Sequence, residues 1–321
     1  MNSPLVSVGT LCYNSGKNVI KTLESVKSQS YKNIEHIIID DASTDDSTKL
    51  LDDWIVKNNY SCKFIKRTKI QGYHEGLNQL IREANGEFFG IVYDDTWHDE
   101  KIEKEVACLK KADAQTGFVY SDAVVVDEKN SIVYNSFLQR FWPHSTALPE
   151  GNIFNHLLFN YFFLSQSCLF RKNIFETTGF YAKRKYLSDD WHMQLTISKN
   201  FRCILLNEVL CTYYFRENSE GRKVQQEKNN HKLIASDMMM IRSFYYDKNN
   251  SNEEKNSIIS AVRNRFHSII EDRYSRYLFK VKYAWMLFAT AFYVKDLFIL
   301  TDTILNAGGR FVKLLNNKFN W

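Results

Sequence analysis

Residues 35–45 read EHIIIDDASTD. Three consecutive isoleucines at 37–39 mark a strand buried on both faces, as in a parallel sheet covered by helices. The acidic pair Asp40-Asp41 follows without a spacer. Ser43 or Thr44 can then cap a helix carrying Leu50, Leu51, Trp54 and Ile55. Strand, charged corner and helix form the first half of a βαβ unit, and the same alternation extends outward. Upstream, Leu5–Thr10 is an apolar strand, and Lys17–Gln29 carries Val19, Ile20, Leu23 and Val26 at helical spacing. Downstream come strand Lys63–Lys66, helix Gly76–Ala84, strand Phe88–Tyr93, helix Glu100–Ala112 and strand Gly117–Tyr120. The predicted fold class is α/β, a mostly parallel sheet flanked by helices.

Beyond residue 122 the pattern changes. Ala123–Asp127 and Ser131–Tyr134 read as a hairpin. Asn152–Phe162 reads as a helix, and Ser167–Arg171 as a strand leading to a helix that Gly179 stops. Asp189–Asn200 reads as a helix, and Arg202–Leu206 and Val209–Phe215 as strands. From about Val224 the character is helical, with Lys255–Tyr274 and Tyr277–Leu300 forming a helical hairpin. No proline follows Pro149 to interrupt these helices. The expected organisation is a domain over 1–222, with a binding part (1–122) and a second part (123–222), followed by a helical extension (223–321).

Composition excludes several classes. Hydrophobic residues make up 44% and charged residues 25%, the proportions of a water-soluble globular chain. Nothing in the first 30 residues reads as a signal peptide. The six cysteines are scattered among apolar residues with no C-x-x-C, against a disulfide framework or zinc site and in keeping with a reducing cytoplasm. Net charge is +5, and residues 263–321 hold ten Lys or Arg against four Asp or Glu, so the tail carries the whole excess. A basic, aromatic-rich tail favours a membrane surface over nucleic acid as partner. The alternative use of these helices is dimerisation or packing on the chain itself.

Five Asp-Asp pairs occur, and position sorts them. Asp45-Asp46 and Asp52-Asp53 lie near or within a helix and face water or the helix dipole. Asp40-Asp41 and Asp94-Asp95 directly follow strands, on the edge where open parallel sheets bind ligands. Paired carboxylates at a strand end repel one another, and a divalent cation relieves that repulsion.

The order VSVGTLCYN (6–14), EHIIIDDASTD (35–45), GYHEGLN (72–78) and GEFFGIVYDDTWHDEK (86–101), then QSCLFRKNIFETTGFY (166–181) and SDDWHMQL (188–195), resembles glycosyltransferase family 2, inverting bacterial enzymes of GT-A fold. The resemblance implies a nucleotide-sugar donor, a UDP-sugar, and a glycan or lipid-linked acceptor for a hexosyl or N-acetylhexosaminyl group. It places Tyr13 against the base, Asp41 on uracil N3–H with Asp40 shaping that loop, and Asn14, Gly72, Asn78 and Asp94 near the nucleotide-sugar. Asp95 becomes the ligand of a divalent Mn or Mg ion, Asp190 the general base, and Asp189 and Trp191 acceptor contacts. Three departures stand out. Tyr93 replaces the first Asp of the family's D-x-D, Leu77 replaces an Arg, and FRENSEG (215–221) lacks a His used by some members as a metal ligand. Arg216 or Arg222 is the candidate replacement contact for phosphate.

A lone base with no second nucleophile implies inversion at the anomeric carbon. His98 and His192 read more readily as surface or structural residues, Trp97 equally as a packing residue or a ring stacked on a sugar face, and the aromatic run 159–163 as core. The rival readings are a non-catalytic nucleotide-sugar-binding module and a nucleotidyltransferase. The latter needs a Gly-rich phosphate loop that residues 10–16 (TLCYNSG) do not supply, and no G-x-G supports a dehydrogenase. The expected location is the cytoplasm, peripherally on the inner face of the membrane.

Overall fold

The structure, a computed structural model, describes residues 3–141, 148–181, 186–216 and 230–271. The chain divides into two compact units: Met1–Lys185 with Asp189–Arg216, and Tyr186–Ser188 with Glu217–Trp321.

In the first unit, β1 (Val6–Cys12), β2 (Ile34–Asp40), β3 (Lys63–Lys66) and β4 (Phe88–Ile91) run parallel in the order β3-β2-β1-β4. Their crossovers are α1 (Asn18–Lys27), α2 (Ser47–Lys57) and α3 (Tyr73–Glu83). The short strand β5 (Thr96–Trp97) and α4 (Lys101–Lys111) lead into β6 (Thr116–Val126), which turns back through β7 (Ile132–Tyr134). After α5 (Phe154–Phe159), β8 (Cys168–Arg171) inserts antiparallel between β4 and β6. Then come α6 (Ile174–Thr178), α7 (Asp189–Asn200) and β9 (Arg202–Tyr214), the last parallel to β6. The sheet is mixed, with its parallel half at the N-terminal end, as expected for GT-A.

Apolar clusters among the described residues hold this sheet. Val6, Val8, Phe88, Val106 and Leu109 lie in one, and Cys12, Leu23, Ile38, Leu51 and Trp54 in another. Each fully buried Leu, Val or Phe contributes about 1.5–3 kcal/mol relative to exposure. Helix α3 approaches β1 closely because position 76 is glycine. A Cβ there would lie 2.5 Å from a Leu11 methyl.

Two pairs of expected strands are single strands. β6 runs through Ser121-Asp122, and β9 runs through Asn207-Glu208. The register steps from Ser121↔Leu206 to Asp122↔Val209, so Asn207 and Glu208 bulge outward to water instead of ending the strand. Helix α7 has the expected bounds, and α5 is shorter than expected at both termini.

In the second unit, α8 (Asn230–Ser243) and α9 (Asn252–Glu271) pack through Met238, Ile241, Ile258 and Val262, all buried. Segment 186–188 is tied to α8, with Leu187 N–H donating to Ser236 Oγ (2.8 Å) and Ser188 Oγ–H to Asp237 (2.6 Å). The helix expected at 255–274 is α9, which begins at Asn252, and residues 272–274 lie outside the described residues. The partner expected at 277–300, Arg222, residues 217–221 of the FRENSEG segment and most of the basic tail lie outside the described residues. No described helix is long and apolar enough to cross a membrane.

Candidate active site

Strand register assembles the first part of the site. Cys12 pairs with Asp40, and Asp40 pairs with Lys66. The next residues, Tyr13, Asp41 and Arg67, therefore emerge together at the carboxyl edge of the parallel strands. Tyr13 is 46% exposed, an aromatic ring left open beside a polar corner. Asp41 is buried and accepts three hydrogen bonds: from Arg67 Nη1 (2.8 Å), Gln71 N–H (2.9 Å) and Gly72 N–H (2.8 Å). Arg67 also reaches Gln79 and the Glu75 carbonyl. Gly72 has φ 90°, which a side chain would resist, and this turn aims its N–H at Asp41. Asp40 accepts from the Ser43 hydroxyl and from Thr48 Oγ1 (2.6 Å), shaping the same loop.

Two expected nucleotide contacts brace the scaffold. Asn14 has φ 50°, and its Oδ1 accepts from Thr44 N–H (2.8 Å), holding the 43–45 turn. Asn78 spans to Tyr181, donating to its carbonyl (3.0 Å) and accepting from its N–H (2.9 Å). A side-chain amide bonded to both backbone groups of one residue is engaged in joining α3 to the segment before α7.

The second acidic corner follows β4. Thr22 Oγ1, from α1, shares its one proton between the carbonyls of Tyr93 (2.7 Å) and Asp95 (2.8 Å) and fixes the turn. The two carboxylates differ sharply. Asp95 is 4% exposed, with Tyr214 N–H (2.9 Å) on one oxygen and Gln166 Nε2 (2.6 Å) on the other. Burial pushes its carboxyl up to about 7, against the Tyr214 N–H. The Asp94 side chain is 36% exposed and pairs with Arg216 Nη1 (3.2 Å), while Arg216 Nη2 donates to the Asp94 carbonyl (2.6 Å). Asp94 thus presents the open carboxylate and Asp95 ties β9 and Gln166 to the turn. Among the described residues no group of three His, Cys, Asp or Glu converges as a metal cage.

The third corner is the start of α7. Tyr73 Oη lies 2.9 Å from Asp190 Oδ1 and 2.9 Å from Tyr93 Oη. His74 Nε2 bonds Asp189. Two consecutive residues of α3 thereby hold two consecutive residues of α7. Burial pushes the Asp190 carboxyl up to about 6, with the Tyr73 hydrogen bond opposing, Asp189 adding and His74 opposing.

Trp191, expected at the acceptor, is 4% exposed, and its indole N–H donates to the Leu157 carbonyl (2.7 Å). It is a core residue with no face for a sugar. Trp97 is likewise buried and donates to the Gln166 carbonyl (2.8 Å), and Phe162 and Phe163 pack on Tyr120. His98 is at the surface near Thr212. Arg67, Tyr73 and Gln166 were not singled out by the sequence. Arg67 follows β3 as Asp41 follows β2, so the strand-end rule points to it. No comparable signal marks Tyr73 or Gln166, whose partners lie far away in the chain.

Residues 7–189 match the description "Glycosyl transferase family 2". An uncharacterized glycosyltransferase of Rickettsia typhi is 29% identical over 174 residues, 53% of this chain and 52% of its own, so the chain spans about half that relative's length. The Escherichia coli UDP-Glc:alpha-D-GlcNAc-diphosphoundecaprenol beta-1,3-glucosyltransferase WfaP is 34% identical over 140 residues, covering 41% of this chain and 51% of its own. Among solved structures, S. aureus TarS 1–349 in complex with UDP-GlcNAc superposes with a TM-score of 0.67 at 17% identity, covering 89% of this chain and 82% of its own. That likeness is one of fold, the GT-A type. Matched over more than half its length, with its acidic corners gathered at the strand ends, the chain belongs to glycosyltransferase family 2.

Proposed function

We propose that the chain moves a sugar, a hexosyl or N-acetylhexosaminyl group, from a UDP-sugar to a hydroxyl of a glycan or lipid-linked acceptor, with inversion and with Asp190 as the base. The observation that carries this is the Asp190 carboxylate. It is held in place by Tyr73 and has its carboxyl raised to about 6, so at neutral pH it is ionised yet more basic than a free carboxylate. The acceptor oxygen forms a bond to the anomeric carbon and loses its proton to Asp190. The bond from that carbon to phosphate breaks, and its electron pair leaves with the nucleoside diphosphate. Asp189, held by His74, is the nearer candidate for acceptor hydroxyls. The uracil assignment draws support from the exposed Tyr13 ring beside the braced Asp41 carboxylate, and from the donor named for the E. coli relative.

Asp94 is a better holder than Asp95 for a divalent ion. One open carboxylate, with the donor's phosphates and water as further ligands, would suit magnesium or manganese. When bound, such an ion supplies charge neutralisation on the leaving diphosphate. Arg216, already against Asp94, is placed to contribute positive charge at the same point.

The basic tail and a lipid-linked acceptor together favour attachment to the inner face of a membrane. Flotation with anionic liposomes, with and without residues 272–321, tests this; equal behaviour of the two forms removes it. The donor is tested by thermal stabilisation and UDP release across a panel of UDP- and GDP-sugars with Mn²⁺ or Mg²⁺. UDP-sugars are expected to stabilise and turn over. Stabilisation by GDP-sugars alone removes the uracil assignment.

A further inference from the structure

Tyr73 is 37% exposed, so core packing does not demand an aromatic residue at this position. Its hydroxyl is nevertheless directed to a carboxylate 117 residues away in the chain. A tyrosine hydroxyl has one proton, and an ionised carboxylate can only accept. The Tyr73 proton therefore goes to Asp190 Oδ1, and the Tyr93 hydroxyl, 2.9 Å behind, donates to Tyr73. The two rings lie 5.6 Å apart, tilted by 55°. Tyr93 is in turn fixed through its carbonyl by Thr22. The result is a two-hydroxyl chain that runs from the β4 corner to the start of α7.

We infer that Tyr73, backed by Tyr93, is a positioning residue for Asp190: its hydroxyl occupies Oδ1 and leaves Oδ2 to take the acceptor's proton. The inference rests on the reading of Asp190 as base. A carboxylate that can rotate offers either oxygen in any orientation, whereas one with a fixed donor on Oδ1 presents Oδ2 along one direction, which is what a near-attack geometry needs. The same hydrogen bond counters desolvation. Burial favours the protonated acid, which cannot accept a proton, and a donor to the charged form opposes that drift. The groups that face Asp190 are Tyr73, His74, Asp189, Tyr93, Tyr161 and Tyr181. Of these, Tyr73 is the one whose hydroxyl donates to it. Desolvation of the hydroxyl end of Tyr73 raises it well above the ordinary tyrosine value, so it stays a protonated donor over the working pH range.

The test uses the full chain with ¹³Cγ-labelled aspartate, the Asp190 resonance being assigned by its loss in Asp190→Asn. Carboxyl titrations are compared for wild type, Tyr73→Phe and Tyr93→Phe, and the acid limb of UDP release from UDP-Glc or UDP-GlcNAc is followed in parallel. Tyr73→Phe is expected to move the Asp190 titration upward by about one pH unit, the size of one hydrogen bond to a charged group. Tyr93→Phe is expected to move it the same way by less. A contact that only steadied the fold would lower the melting temperature and leave the titration where it was, and that result in both variants overturns the inference. An unshifted titration together with an inactive Asp190→Asn removes the role of Tyr73 alone. A shifted titration together with a fully active Asp190→Asn removes the base assignment on which the role depends.

Discussion

Arg67 and Asp41 face each other at 2.8 Å, with both side chains 4% exposed, at the carboxyl ends of β3 and β2. They form a buried ion pair at the corner where Tyr13 opens to solvent. Removing one partner from such a pair leaves an uncompensated buried charge. Arg67→Met is therefore expected to lower unfolding free energy by about 3–5 kcal/mol in urea titration, while Arg67→Met with Asp41→Asn recovers much of that loss. UDP binding should weaken in both, since Arg67→Met removes the donor that orients Asp41 and Asp41→Asn also alters the acceptor that holds the loop 71–72.

A second buried pair is independent of the site. Lys101 and Glu105, one turn apart on α4, are both fully buried, and the ammonium lies 4.5 Å from the Trp97 ring centroid. Lys101→Met alone should cost about 3–5 kcal/mol, with Glu105→Leu beside it restoring near wild-type stability. Equal losses in the single and double variants would show that the pair itself, and not the orphaned charge, sets the cost.

The two carboxylates after β4 should separate by phenotype. Asp94→Asn is expected to raise the Mn²⁺ concentration needed for half-maximal turnover at least tenfold, with little change in melting temperature. Asp95→Asn, whose oxygens hold Gln166 and Tyr214, should chiefly reduce stability. Chelation by EDTA should abolish turnover, and added Mn²⁺ or Mg²⁺ should restore it. If Asp95→Asn alone alters the metal requirement, the ion sits on Asp95.

Titration of Asp190 predicts opposite trends for rate and stability. Its carboxyl is raised to about 6 in the folded chain, so turnover should fall roughly tenfold per pH unit below that point as the base is protonated. The folded state binds more protons than the unfolded one between the ordinary aspartate value and about 6. Stability from this group is therefore fully present at low pH and is lost as pH rises through about 6. Asp190→Asn should accordingly melt higher than wild type at pH 7.5, with the gap closing below about pH 4. Melting curves across this range check the sign.

Much of the fold was legible because hydrophobic period and strand length agree in the parallel half. β3 and α7 occupy the residues their patterns mark. β6 and β9 were read as broken because Ser121-Asp122 and Asn207-Glu208 interrupt the apolar run. The chain instead buries Asp122 against Ser136 and Leu138 N–H and bulges 207–208 outward. Such compensation comes from segments distant in sequence. The site divides in the same way. Asp40, Asp41, Asp94, Asp189 and Asp190 stand where strand and helix ends place them. The donors that distinguish a braced carboxylate from an open one, Arg67, Gln166, Tyr73 and Arg216, reach across 26 to 122 residues and leave no local pattern.

If Asp190 takes the acceptor's proton, its loss must show in sugar transfer itself. The direct measurement is sugar transfer by Asp190→Asn and wild type, with the UDP-sugar found by the donor panel and an acceptor it supports, alongside UDP-induced thermal stabilisation. A loss of about 10²–10⁴-fold in kcat is expected for Asp190→Asn, with UDP stabilisation unchanged. Transfer at the wild-type rate by Asp190→Asn would contradict it.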